Sequence, residues 1–383
     1  MRPVVVIGVG MTKFGKFPDV PVVQLGREAT RDAMKDAKVG PRDIQVAYVG
    51  NLTESKETGH VSCMAQDTLR GVGIRAIPIT RVENACASGS TALREAWIAV
   101  GSGLYDIALA LGVEKLTGRS GAPLGRVGDN IEGIAGFAPP GVWAMRAQRH
   151  MAQYGTTLEQ LAMVAVKNRR HAKLNPRSFL PKEVTVEEVR KSPMIAYPLT
   201  LFDCCPTTDG AAAAILCSEE VARRYTTKPV YVAAAALQSG TYENLRNIAV
   251  NECEKKAARE AYERAGIGPK DLDFAEVHDC FTIAEIVRIE NLLLCPEGEG
   301  GRWVASGETQ LGGKFPINPS GGLLCKGHPI GATGIAQVAE IVWQLRGEAG
   351  ARQVPNAKAA LAHCSGGFIG HDTGASAVII LKR

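Results

Sequence analysis

Four short stretches carry residues able to do covalent chemistry: Asn84-Ala85-Cys86-Ala87-Ser88-Gly89, His278-Asp279-Cys280-Phe281, Gly327-His328-Pro329-Ile330-Gly331 and His363-Cys364-Ser365-Gly366-Gly367. Cys86 lies in a turn of small residues between an apolar run and a helix. Leu93, Ala96, Trp97 and Val100 recur at helical spacing and predict a helix over 90–100. A thiol just ahead of a helix meets unpaired N–H groups and the positive end of the helix dipole, which favours the thiolate and so a nucleophile. Small neighbours leave room for a substrate. From this window alone a buried structural cysteine fits as well. Each of the four stretches follows a strand or opens a helix, where a doubly wound fold presents its loops.

The elements that must position these residues are read from the rest of the chain. Its 383 residues exceed one ordinary core, and 45% hydrophobic with 22% charged residues describes a globular protein. The formal charge of +5 is spread along the chain with no basic block, so nucleic acid is not expected as a partner. Ten scattered cysteines without a CxxC pair argue against a disulfide framework or a zinc site and fit a reducing cytoplasm. The opening Val4-Val5-Val6-Ile7-Gly8 reads as a first strand and not as a signal peptide, and no apolar run reaches the ~20 residues of a membrane span. Gly8 and Gly10 imitate a dinucleotide fingerprint, but Lys13 stands where its third glycine belongs.

A helix over 22–38 and a strand over 46–49 follow. Glu28-Ala29-Thr30-Arg31-Asp32-Ala33 through Gly40-Pro41-Arg42-Asp43-Ile44 then returns, at constant offset, as Lys256-Ala257-Ala258-Arg259-Glu260-Ala261 through Gly268-Pro269-Lys270-Asp271-Leu272. Cys86, Gly89 and Thr91 line up with His328, Gly331 and Thr333. The chain therefore reads as α/β and as a duplication, with halves over 1–228 and 229–383 whose buried sheets are covered by helices. Each half brings the start of one central helix toward a shared site. A helical subdomain is expected as an insertion over about 117–197, opened by Gly-Pro-rich loops over 118–128 and 138–141 and carrying helices over 142–154 and 157–174. Its Lys167, Arg169, Arg170, His171 and Lys173 could meet a phosphate but read better as a solvated helix face.

With these motifs the chain resembles the thiolase superfamily over essentially its whole length. The CxS turn at Cys86-Ala87-Ser88, the run Gly327-His328-Pro329-Ile330-Gly331-Ala332-Thr333-Gly334 and the CxG-like Cys364-Ser365-Gly366 carry the resemblance. His278-Asp279-Cys280-Phe281 is similar to the HDCF variant of sterol-carrier-protein-type and archaeal thiolases. The resemblance implies a thiolase fold of duplicated βαβαββ halves in a layered α-β-α-β-α core, a homodimer, coenzyme A as cosubstrate, acyl-CoA substrates, no metal and no covalently bound cofactor. Relatives in this branch often bind a small OB-fold protein with a zinc ribbon, so such a partner is expected.

The implied reaction is thiolytic cleavage of a 3-oxoacyl-CoA, or the reverse condensation, through an acyl-cysteine. Cys86 is then the nucleophile, and His328 deprotonates it and later holds the thioester oxygen. His278 is the companion donor, directly or through a water, while the N–H groups of Cys86 and Gly366 form a second oxyanion site. The acid–base thiol is either Cys280 or Cys364, because the HDCF and CxG motifs each supply one; Cys280 is the preferred of the two. Cys325 is expected to line the site. Cys63, Cys204, Cys205, Cys217, Cys253 and Cys295 are expected to pack, and Trp143, Met145, Met151 and Met163 either shape an acyl pocket or pack as a helical stripe. Two other readings remain: a thiolase-fold aldolase acting on a side-chain β-hydroxyacyl-CoA, and a catalytically silent acyl-CoA-binding subunit.

Overall fold

The computed structural model describes residues 1–53, 62–117, 134, 136, 138–243 and 247–383. The expected loop over 118–128 lies outside them. The first half runs β1 (Val4–Met11), α1 (Val22–Ala37), β2 (Val46–Gly50), α2 (Met64–Arg70), β3 (Ile79–Val82), α3 (Ser88–Gly101) and β4 (Ile107–Glu114). An excursion follows, through α4 (Pro139–Tyr154), α5 (Leu158–Lys173), α6 (Val186–Lys191) and the ribbon β5 (Met194–Ala196) with β6 (Leu199–Thr200), before β7 (Gly210–Ser218) and α7 (Glu219–Ala222). The second half contains β8 (Val230–Ser239), α8 (Glu252–Ala265), β9 (Phe274–Glu276), α9 (Thr282–Asn291), α10 (Gly300–Ala305), α11 (Thr333–Arg346), β10 (Ala359–Ile369) and β11 (Asp372–Lys382).

Strand order makes the repeat visible. The sheet reads β3-β2-β4-β7-β1-β8-β11-β10-β9, so β2-β4-β7-β1 in one half answers β9-β10-β11-β8 in the other. Ile317 bridges in parallel to Ala275 of β9, where β3 flanks β2 in the first half. Within the sheet the halves are joined by the β1–β8 pairing Val5↔Tyr231 and Val6↔Val230, which runs the hydrogen bonding through nine strands.

Period-two alternation in the strands explains the layers, because both faces of each half are buried. Val4, Val6, Ala212, Ala214, Ala360, Ala362 and Ile379 face a central core with α3 and α11. Val5, Ile7, Ala211 and Ala213 face α1 and α2 on one outer side. Leu361, Val378 and Ile380 face α8 and α9 on the other. Gly8 and Gly10 lie within β1 against α1, so they form no phosphate-binding turn.

Two expectations need correction. The basic face of α5 is solvated only in part: Arg170 and Lys173 are exposed, but Lys167, Arg169 and His171 are buried, with Lys167 donating to the Ile317 carbonyl at 2.7 Å and pairing with Glu285 at 2.9 Å. Cys63 does not pack; it is exposed, while Cys204, Cys205 and Cys295 are half-buried and Cys217, Cys253 and Cys325 are buried.

Candidate active site

Helices α3 and α11 pack together in the central layer, and the reactive Cys86 and His328 lie in the turns just ahead of them. A Cβ on Gly89 would stand 2.5 Å from the Gly331 carbonyl oxygen, so the backbones touch there as only glycine allows. This brings the Cys86 Sγ and ring nitrogens of His278 and His328 within 4.8 Å of one another. The arrangement is that of a nucleophile facing two bases.

The turn ahead of α3 is built by local hydrogen bonds. Ala85 adopts φ +47°, and the Ser88 hydroxyl donates to the Ala85 carbonyl at 2.6 Å while accepting from the Asn84 N–H at 2.9 Å. The helix starts at Ser88, two residues earlier than its apolar spacing predicts, with Ala87 as its N-cap. The N–H groups of Ala87 and Ser88 are already donated to the carbonyls of Asn84 and Ala85. They are not free to hold a thiolate. Burial pushes the Cys86 thiol well above its usual range, and Cys364 and Cys280 add to this, outweighing Arg288. The expectation of a resting thiolate is therefore corrected: Cys86 rests as a thiol and needs a base.

His328 is equipped to be one. Its Nδ1 lies 2.8 Å from the Thr333 hydroxyl, which donates its single hydrogen to the Pro329 carbonyl at 3.0 Å. Hydrogen accounting thus puts the imidazole proton on Nδ1 and leaves Nε2 as the acceptor. Burial, with Arg288 nearby, lowers its pKa to about 3, so the ring is neutral. His278 is likewise held well below the ordinary histidine value by burial and by Arg288, His328 and His363. The two rings meet edge to face with centroids 5.0 Å apart.

Cys364 and Gly366 close over the turn from β10. The Cys364 thiol donates to the Cys86 carbonyl at 2.9 Å and lies 3.3 Å from His278 Nδ1. By the same accounting Nδ1 of His278 carries the proton, which leaves its Nε2 as an acceptor. A Cβ on Gly366 would stand 2.4 Å from the Asn84 carbonyl oxygen and 2.5 Å from the Cys86 nitrogen. Cys280 is buried, with Sγ 3.6 Å from Arg288 Nη1. All six residues singled out by sequence converge, and Cys325 is buried in the adjoining core.

Sequence reading missed several neighbours. Arg288 is buried on α9, which carries Glu285, Arg288 and Glu290 yet shows no exposed face, and no sequence signal marked it. Glu254 pairs with Arg288 at 3.2 Å. Cys205, expected only to pack, has its N–H on the Cys280 carbonyl at 3.0 Å. Trp143 stacks on Phe281 with centroids 6.0 Å apart; Met151 and Met163 pack against the same core, whereas Met145 is exposed.

Two family models cover the chain: "Thiolase, N-terminal domain" over residues 4–220 and "Thiolase C-terminal domain-like" over residues 234–383. The chain belongs to the thiolase family. Over the full length of both chains it is 47% identical to an acetyl-CoA acetyltransferase of Methanothermobacter thermautotrophicus. It is 42% identical to the benzoylsuccinyl-CoA thiolase subunit BbsB of Thauera aromatica, over 96% of this chain and 95% of that one. Among solved structures, the Ltp2-ChsH2(DUF35) aldolase superposes with a TM-score of 0.84 at 26% identity, covering 98% of this thiolase and 97% of that chain.

Proposed function

We infer that this chain is an acyl-CoA thiolase that cleaves a 3-oxoacyl-CoA, or runs the reverse condensation, through an acyl-enzyme on Cys86. The observation that carries the reading is the Cys86 thiol packed within 4.8 Å of the His278 and His328 ring nitrogens. His328 Nε2 takes the thiol proton, and the thiolate attacks the 3-keto carbon. His328 and a water on His278 hold one oxyanion; the N–H groups of Cys86 and Gly366 hold the other, each donor contributing about 2.7–4 kcal/mol. A second thiol, Cys280 or Cys364, protonates the departing enolate and then accepts the proton of coenzyme A, which is the cosubstrate.

Acetoacetyl-CoA is the first substrate to test, because the relative at 47% identity is named an acetyl-CoA acetyltransferase. An inserted unit over about 117–197 within a first half over 1–228, against a second half over 229–383, is the division we propose. A homodimer in the cytoplasm is our reading of the assembly, supported by family membership. A small OB-fold zinc-ribbon partner is supported by the word "subunit" in the name of the Thauera relative and by the two-protein title of the aldolase structure. No helix among the described residues is long and apolar enough to cross a membrane.

The similarity to an aldolase gives a second reading some footing. A retro-aldol step needs no thiol nucleophile, so the Cys86–His328 pairing argues for acyl transfer. The test is a panel of 3-oxoacyl-CoA esters with free coenzyme A, comparing wild type with Cys86→Ala and weighing the intact protein. Loss of turnover together with loss of an acyl adduct supports the thiolase. Full activity in Cys86→Ala, or release of an aldehyde or ketone, defeats it.

A further inference from the structure

Two arginines share the Trp143 ring, and they are provided for unequally. Arg288, 4.7 Å from the ring centre, is paired: Nε donates to Glu254 Oε1 at 3.2 Å, Nη2 to the Ser365 hydroxyl at 2.6 Å, and Nη1 to the His278 carbonyl. Arg146, from α4, lies 4.5 Å from the same centre and 5.5 Å from the centre of the Phe368 ring. It is only 1% exposed. Its Nη2 donates to the His371 carbonyl at 2.7 Å, in the turn between β10 and β11, but its buried Nη1 has no acceptor among the described residues.

The two carboxylates whose charge reaches Arg146 are already engaged. Glu254 accepts from Arg288, Asn291 and the Thr373 hydroxyl, and Asp372 accepts from the N–H groups of Cys253 and Thr373. Burial lowers the Arg146 pKa to about 10, so the charge persists at neutral pH. Contact with two aromatic faces offsets only part of the cost of burying a cation without a counterion. A buried N–H of this kind calls for an acceptor, and the planar guanidinium matches a carboxylate.

The position adjoins the reacting groups. Trp143 stacks on Phe281, the residue after Cys280, and the charge of Arg146 is felt at Cys280. Phe368 follows Gly366 by two residues on β10, and Gly366 presses on the Cys86 nitrogen. Gly367 is exposed and Phe368 half-buried, so the end of β10 that leads from Cys86 to Arg146 is open to solvent.

We propose that Arg146 is a specificity residue that binds a carboxylate at the far end of the acyl group, so that the substrate is a 3-oxoacyl-CoA whose chain ends in a carboxylate. The proposal deepens the thiolase reading and rests on it. In cleavage, Cys86 Sγ bonds to the 3-carbon and the bond between the 2- and 3-carbons breaks toward the 2-carbon, which takes a proton from the second thiol and leaves as acetyl-CoA. The carboxylate is not consumed; it stays with the acyl group on Cys86, paired to Nη1. Acetoacetyl-CoA carries only a methyl group beyond its 3-keto carbon and leaves Nη1 without a partner.

The test measures kcat/KM with free coenzyme A for 3-oxoadipyl-CoA and 3-oxopimelyl-CoA against their methyl-terminated counterparts, 3-oxohexanoyl-CoA and 3-oxoheptanoyl-CoA. Intact-mass analysis of acyl-Cys86 accompanies each ester and acetoacetyl-CoA. The wild type is compared with Arg146→Met and Arg146→Gln, which remove the charge, and with Arg146→Lys, which keeps it. Wild type is expected to favour the better carboxylated ester by about 10–100-fold, which is what one hydrogen bond to a charged group is worth. The neutral variants are expected to bring the two classes level, and Arg146→Lys to keep part of the preference. Each ratio is taken within one protein, so a smaller folded fraction does not move it. A wild type that treats the two classes alike or prefers the methyl-terminated esters, or a preference that survives in the neutral variants, overturns the proposal; acyl-Cys86 formed from acetoacetyl-CoA then leaves the thiolase reading standing. No acyl-Cys86 from any ester overturns both.

Discussion

Cys86 and His328 divide the work of activation in a way that the types of the two residues do not reveal. A thiol raised by burial and an imidazole lowered to about 3 both rest neutral, so the two do not form an ion pair. The proton moves only when substrate and its oxyanion donors change the local field. Thr333 then becomes a control point, because its hydroxyl keeps the His328 proton on Nδ1. Thr333→Val is nearly isosteric and removes that acceptor; kcat should fall, by no more than the ~10²–10⁴-fold that a positioned base supplies, with the urea midpoint little changed. Steady-state kinetics beside denaturant titration checks this. An unchanged kcat would show that the tautomer is set elsewhere. Sequence aligned Thr333 with Thr91 as part of the repeat but gave it no chemical role, since a hydrogen-bond direction is a property of three-dimensional neighbours.

At the scale of elements, the site is a meeting of two helix starts and one strand, and glycine lets each approach. Gly366 lies in β10 opposite Ala375 and presses on the backbone before α3. Gly366→Ala places a methyl about where the Asn84 carbonyl and Cys86 nitrogen already stand, and neither is a side chain that can swing aside. Overpacking of this kind costs about 1–3 kcal/mol. The expected outcome is a lowered melting temperature, together with loss of acyl-Cys86 on exposure to substrate. Wild-type rates in this variant would remove the backbone of Gly366 from the oxyanion site. The four loops and the two central helices were legible because glycine, histidine and cysteine recur at matched places in a duplicated pattern. The start of α3 was misjudged by two residues because Ser88 and Gly89 carry no apolar signal, yet their backbone is helical. The burial of α5 was misjudged for a different reason. Lys167, Arg169 and His171 look like a wet face until Glu285 and Ile317 for Lys167, the Phe202 ring for Arg169 and Asn318 for His171 are brought from distant parts of the chain.

Across the whole molecule, the same burial that tunes the site makes stability depend on pH. His171, His328 and His363 are each held at about 3, chiefly by burial, and His278 is lowered in the same direction. In the unfolded chain a histidine titrates near ~6.5. Between about pH 3 and 6.5 the unfolded state therefore binds more protons than the folded one, so stability rises with pH through that window and is lost on acidification. His171 isolates the effect because it stands outside the catalytic cluster. Its Nδ1 faces the Asn318 carbonyl at 3.0 Å and its Nε2 accepts from the Leu311 N–H at 3.0 Å. A second ring proton would point N–H at N–H, with Lys167 adding repulsion. One such histidine withdraws about 2 kcal/mol between pH 7 and pH 5, as each pH unit below the unfolded value counts about 1.4 kcal/mol. Urea unfolding followed at pH 7, 6 and 5 should show the loss. His171→Asn should be less stable at pH 7, where its hydrogen bonds are missed, but should lose about 2 kcal/mol less than wild type on going to pH 5. Parallel pH dependence in the two proteins would mean that His171 takes up its proton in the folded state, and that the α5 face opens to water more readily than its packing implies.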